Sequence, residues 1–252
     1  MSLPHALGIF GAGIVAGTIN TVVGSGTLFT FPVLLAFGYA PVTANVSNTV
    51  GLVPGSVSGA IGYREELRGQ GRRALPLCTA SLFGGIVGAI LLLSLPPSAF
   101  KTIVPGFIAV ALVMIVLQPR LSRALAKRRG GTRRRERAGP IGTAATFGSG
   151  IYGGYFGAAQ GILLLSILGL SLEGEELQRI NALKVVLAGL VNLVAGVVFV
   201  FSAHVAWLAA LLIAIGSTIG GVLGSRYGRR LPPSALRALI VAVGIFAIVR
   251  LL

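Results

Sequence analysis

Long apolar runs broken by short polar stretches set the pattern of this chain, and the lengths of the runs decide its class. Runs near His5–Val23, Ala44–Tyr63, Ala74–Leu95, Ser98–Leu117, Ile141–Leu168, Leu177–Phe201, Val205–Tyr227 and Ser234–Leu252 each come close to or exceed the ~20 residues that carry a helix across a bilayer. They are continuously apolar, whereas a membrane β-barrel strand alternates apolar and polar residues. The pattern predicts an all-α, polytopic helical membrane protein with about eight transmembrane helices.

Two of the apolar stretches are interrupted, and the interruptions organise the rest. Gly24-Ser25-Gly26-Thr27 breaks the first, and the apolar piece that follows, Leu28–Phe37, is too short to cross alone at ~1.5 Å per residue. It is either the second half of a tilted, broken helix or a re-entrant segment, and both readings are open. A polar cluster, Thr43, Asn45, Ser47, Asn48 and Thr49, then opens the next run. Lipid cannot satisfy free backbone groups, so irregular backbone at membrane depth is tolerated only inside protein or beside a water-filled cavity. The second half offers a match. Gly157 set against Gly24 pairs two Gly-rich breaks, each followed by a short Leu-rich run. Further on, Asn48 falls against Lys184, Ser56 against Asn192 and Tyr63 against Phe199. The expectation is two four-helix membrane repeats with broken first helices, 1–119 and 141–252, joined by a basic linker at 120–140. Interrupted segments at matching places in two halves point to a transporter's binding site. Pro54 is expected to kink the second span, and Pro96-Pro97 and Pro119 to stop the third and fourth. Gly84, Gly85 and Gly88, and Gly216, Gly220, Gly221 and Gly224, are spaced as small residues on helix-packing faces.

Composition sharpens this. The chain is 54% hydrophobic and 11% charged, with mean hydropathy +0.90, against roughly 25% charged residues in soluble domains. A net charge of +15 invites nucleic acid as a partner, but nine of the 21 basic residues lie between Arg120 and Arg137, and most others sit at the ends of apolar runs. That is the positive-inside distribution, and it makes anionic lipid headgroups the partner of the linker, with no nucleic acid. Eight spans put both termini on one side. With the linker there too, that side carries 14 basic residues against six, so both termini are expected in the cytoplasm of a multi-pass cell-membrane protein. Four spans per half make the repeats parallel. The N-terminal run, with no basic stretch before it and no convincing cleavage site, is read as a retained span. Cys78 is the single cysteine, and no cofactor or metal-spaced cluster is visible.

Lys184 is the sharpest chemical candidate. It lies within the sixth span between Leu183 and Val185, and a charge at that depth costs ~2.5–3.5 kcal/mol on insertion scales. Either it attracts an anion or it snorkels to the interface. Asn45, Ser47, Asn48, Thr49, Ser56, Asn181 and Asn192 can line the same cavity as hydrogen-bond donors to an oxyanion, or bond helix to helix. The helix starts near Thr27 and Gly161 direct free N–H groups at an anion, which adds Gly24, Ser25, Gly26, Thr27, Gln160 and Gly161 to the candidate substrate-binding set. Asn20, Tyr152 and Tyr155 are second-rank. There is no Asp, and the six Glu residues fall in loops or at span ends, so a carboxylate proton relay has no evident residue. His5 and His204 are isolated near span ends.

The Gly-rich break, Pro32 six residues on from Gly26, and the cluster Ala44-Asn45-Val46-Ser47-Asn48-Thr49 resemble the sulfite exporter TauE/SafE family of membrane transporters. Gly24, Gly26, Pro32, Gly38, Ala44 and Ser47-Asn48 match its first-repeat pattern, where the last pair often reads Thr-Ser. The second repeat departs further, with Gly157-Ala158-Ala159-Gln160-Gly161 where a run of glycines is usual. The resemblance implies transport of small anions, often sulfur-containing oxyanions or organosulfonates, with carboxylates as further candidates; the absence of a membrane-embedded carboxylate adds the expectation of facilitated or weakly coupled export, through a site between the repeats. It implies no catalytic residue and no enzyme. An anion channel and a membrane-embedded enzyme are the alternatives. Saturable, competable flux separates a carrier from the first, and absence of product in detergent separates it from the second.

Overall fold

The computed structural model describes residues 1–127, 138–172, 174–228 and 233–251, and among them every regular element is an α-helix. They are α1 (Leu3–Val22), α2 (Thr27–Ala36), α3 (Pro41–Gly62), α4 (Arg64–Leu67), α5 (Gly71–Ser94), α6 (Pro97–Lys127), α7 (Pro140–Tyr155), α8 (Gln160–Ser171), α9 (Leu177–Ser202), α10 (Trp207–Tyr227) and α11 (Pro233–Leu251). Five are long and apolar enough to cross a bilayer: α1, α5, the Ser98–Arg120 part of α6, α9 and α10. Large apolar side chains such as Leu75, Phe83, Val110, Ile141, Trp207 and Ile219 stand exposed around the outside, while Asn45, Asn48, Gln160 and Lys184 are buried. That is the arrangement a lipid solvent imposes. Residues 128–137 of the linker expected at 120–140 lie outside the described residues.

Local chemistry sets the helix ends. Pro41 and Pro140 stand at the starts of α3 and α7, where a fixed φ and a missing N–H cost nothing. Two glycines close the broken helices. Gly24 (φ 85°) donates its N–H to Ile19 O at 2.9 Å, and Gly157 (φ 75°) donates to Tyr152 O at 3.1 Å. Both are left-handed closures that glycine makes without strain. Pro54, expected to kink the second span, lies inside a continuous α3, and α6 runs on through Pro119 to Lys127 instead of stopping there as expected. A proline forfeits one intrahelical bond, which the surrounding packing absorbs here.

Helix packing is matched pairwise. α1 lies on α10 and α7 on α5; α3 lies on α10 and α9 on α5; α2 meets α11 and α8 meets α6. The helices thus interlock, each broken helix lying against a helix of the other half. The seams are glycine-lined: a Cβ on Gly220 would collide with Ile14 O, and one on Gly88 with Ile151 O.

The directions differ from the expectation of parallel repeats. Along α3 and α9 the contacts run Val50 with Gly196, Ser56 with Gly189, and Gly59 with Val185, which makes the two helices antiparallel. The cause is the pair of short helices. Gly8 of α1 touches Phe37 beyond the end of α2, and Gly142 of α7 touches Ser171 at the end of α8, so each short helix turns back along its predecessor. Counted as passes, α2 and α8 give each half an odd number, which inverts the second half relative to the first. Sidedness changes with it. Met1 lies at Tyr39 and His5 at Phe37. The opposite end holds Arg64, Arg68, Arg72, Arg73, Arg179 and Arg226, where α3 and α10 finish and α5 and α9 begin. Gln118, near the end of α6, shares a cavity with Leu177 and Asn181 at that same end. The N-terminus and the basic end are therefore on opposite faces, not together as expected.

Candidate functional site

The two Gly-rich breaks meet. Gly161, on the first turn of α8, donates its N–H to Gly24 O at 3.0 Å, and a Cβ on either glycine would strike the backbone of the other. Gly26, where α2 starts, lies against Ala16 O and Asn20 Cβ, part-way along α1. Two helix N-termini, each the positive end of a dipole, are thus brought together inside the bundle, and the first-turn N–H groups of α8 are taken up by the carbonyls of Gly157, Gly24 and Ala159. Ser25, 1% exposed, sits beside this junction with its hydroxyl oxygen unpartnered.

The polar cluster of α3 is arranged around the start of α2. Asn48 donates to Thr27 Oγ1 at 3.2 Å and accepts from Thr30. Asn20 donates to Ser56 Oγ at 3.4 Å. Asn45 reaches across to the other half and donates to Tyr155 O at 3.0 Å. Two members of the expected set bond to backbone: Ser47 Oγ accepts the N–H of Ala206 at 2.9 Å, and Thr49 donates back to Asn45 O. Gln160 packs on Gly153 and donates to Ser149 O at 3.2 Å, and Tyr152 ties across the second break to Ala158 O. Tyr155 is buried with an unpartnered hydroxyl, and Asn192 is only partly buried on α9.

Lys184 is 1% exposed, so it does not snorkel. Its ammonium donates to Thr21 O at 3.3 Å, in the last turn of α1, and Asn181 shares that carbonyl at 3.5 Å while donating to Tyr63 Oη at 3.0 Å. The C-terminal carbonyls of a helix carry partial negative charge, and one of them, Thr21 O, is the partner of this ammonium. Asn48 and Lys184 are not brought face to face: one lies at the start of α2, the other at the end of α1. Sequence reasoning passed over Thr21, Thr30 and Tyr63. Isolated threonines and a tyrosine at a span end carry no distinctive pattern.

The two ends of the bundle are closed differently. A part-open cavity of about 150 Å³ at the basic end is lined by Val22, Tyr63, Gln118, Gln178 and Asn181, among others. At the other end a ring cluster fills the space: Phe31 meets Phe156 at 5.1 Å and Phe100 at 6.3 Å between centroids, and Phe100 meets Tyr155 at 5.9 Å.

The family profile described as sulfite exporter TauE/SafE matches residues 9–251. A probable membrane transporter protein, ORF9, of Sinorhizobium sp is 28% identical over 97% of this chain and 91% of its own length. The probable membrane transporter protein YfcA of Escherichia coli K12 is 26% identical over 96% of this chain and 88% of its own. A probable membrane transporter protein of Haemophilus influenzae is 24% identical, over 92% and 89%. No solved structure gives a significant match.

Proposed function

The chain belongs to the sulfite exporter TauE/SafE family, and from that premise we propose that it is a carrier of small anions, with its site at the junction of the two Gly-rich breaks. The observation that carries this reading is the meeting of the α2 and α8 N-termini at Gly24 and Gly161, beside the buried, unpartnered hydroxyl of Ser25. The positive dipole ends of helix starts suit oxyanions, and the Gly161 N–H, now bonded to Gly24 O, is released to one when that contact parts; inverted repeats with broken helices place substrates there. Sulfite and organosulfonates are the favoured class, carboxylates the next. In this reading 1–119 and 141–252 are inverted repeats about an axis in the membrane plane.

The basic end faces the cytoplasm by the positive-inside rule. An anion then enters from the cytoplasm through the 150 Å³ cavity, passes Asn181 and Lys184, and reaches the junction. The Gly24–Gly161 contact parts to admit it, and the Phe31–Phe100–Phe156 cluster opens to release it. Anionic lipid headgroups cover the basic end.

The test is flux into liposomes holding the purified protein, with sulfite, taurine, sulfate and acetate as the trial anions at a fixed potential. A carrier gives saturable uptake with mutual competition among its substrates. Uptake linear in anion concentration would replace the carrier with a channel, and no uptake of any anion would reject the reading.

A further inference from the structure

The ammonium of Lys184 has a counterpart position with no charge in it. α3 starts at Pro41 and α9 at Leu177, and α5 and α10, at Gly71 and Trp207, start at the same separation. That register sets Asn45 against Asn181 and Asn48 against Lys184. The two asparagines do the same thing: Asn181 donates to Thr21 O in the last turn of α1, and Asn45 donates to Tyr155 O in the last turn of α7. Last-turn carbonyls form the negative end of the dipole, and although Tyr152 O at α7 accepts the N–H groups of Phe156 and Gly157, a carbonyl oxygen keeps a second lone pair for a further partner. At α1 the balancing positive charge is Lys184, 3.3 Å from Thr21 O. At α7 the matching residue, Asn48, is neutral and turned away to Thr27 and Thr30. The remaining acceptor there, Asn45 Oδ1, is buried and has no partner. Its orientation is fixed, because only the NH₂ of the amide can donate to a carbonyl.

We propose that a monovalent cation, of which sodium is the best fit, binds at the end of α7 through Asn45 Oδ1 and the last-turn carbonyls, as Lys184 serves the end of α1. Neutral oxygens at a broken helix's C-terminal end are the ligand type that sodium takes in carriers of this architecture. A divalent ion wants carboxylates, and no metal-holding group of His, Cys, Asp or Glu is present among the described residues. Coupling of this cation to anion movement rests on the carrier reading; the binding itself does not.

Thermal unfolding of the purified protein, in sodium chloride or choline chloride at equal ionic strength and with no substrate anion, tests the site without any flux measurement. Wild type is expected to gain a few degrees in Tm, saturably with sodium, because a ligand of the folded state alone stabilises it. Asn45→Leu should unfold at a temperature indifferent to sodium. Asn48→Lys, which supplies a tethered ammonium like that of Lys184, should also lose the response. Equal wild-type Tm in both salts at all concentrations overturns the proposal, as does an undiminished sodium response in a folded Asn45→Leu. If Asn45→Leu does not fold, Asn48→Lys decides alone, and a wild-type sodium response in it overturns the site. Lost anion flux with an intact sodium shift would reject the carrier reading and leave the cation site standing.

Discussion

A single methyl group is enough to test the junction of the breaks. Gly24 and Gly38 share the same backbone angle, φ 85°, but Gly38 has open space where a Cβ would go and Gly24 has the backbone of Gly161. Gly38→Ala should therefore carry only the left-handed strain of an L-residue, about 1–2 kcal/mol. Gly24→Ala should carry that strain plus a backbone collision. The expected result is a small loss of Tm for Gly38→Ala with flux retained, and a larger loss with flux abolished for Gly24→Ala. Lys184→Met tests the other end of the path. It keeps much of the apolar stem and removes the charge, so anion uptake should fall to background in a protein that remains monodisperse. Lys184→Arg should keep part of the activity, since its planar fork cannot reproduce the point charge at Thr21 O. Wild-type uptake by Lys184→Met would remove the lysine from the route.

At the scale of elements, the glycine seams make the sharpest claim. Gly220 on α10 and Gly88 on α5 lie where a side chain would run into a carbonyl of α1 or α7, while Gly11 on α1 has nothing within 4 Å. Gly220→Val and Gly88→Val should each force helices apart and cost at least the ~1–3 kcal/mol of core overpacking, read as lost monodisperse yield. Gly11→Val should express like wild type. The seams were legible in the sequence because small residues recur at helical spacing, and most helix bounds were legible from apolar length, whereas Pro119 marked no bound because α6 carries it inside. Helix direction was not. Leu28–Phe37 reads the same whether it doubles back or continues, since hydropathy carries length and not heading. The pairing of Asn48 with Lys184 agrees with the common separation of the α3 and α9 starts, but lining one cavity together needed parallel repeats. Once α3 and α9 run oppositely, equivalent residues move to opposite sides of the axis. The ion pairs of the buried Glu175 with Arg73 and Arg179 were hidden for a simpler reason: a loop glutamate looks solvated until the fold buries it.

For the whole molecule the measurable claim is sidedness. Ser2 and Arg68 are both exposed, at opposite ends. In a Cys78→Ser background, an impermeant thiol reagent added to intact cells should label Ser2→Cys and spare Arg68→Cys until the cells are opened. The reverse pattern would turn the protein over in the membrane, and labelling of both from one side would contradict the odd number of passes in each half. Interlocking has an outcome at this scale as well. Because α1 is seated on α10 and α7 on α5, neither 1–119 nor 141–252 expressed alone should yield a monodisperse protein. Both fragments made in one cell should yield a complex that transports.

The same seating sets a schedule for synthesis. α1 leaves the ribosome with its glycine face bare, and the helix that covers it, α10, begins only at Trp207. At roughly 5–20 residues per second the wait is about 10–40 s. Throughout it the first helix sits in the bilayer as a client without its partner, open to quality-control proteases and to insertion factors that hold small-residue faces apart. Nascent chains arrested before Trp207 should therefore be degraded quickly, and those arrested after Tyr227 has cleared the translocon should persist. The polypeptide's first commitment is redeemed almost at its end.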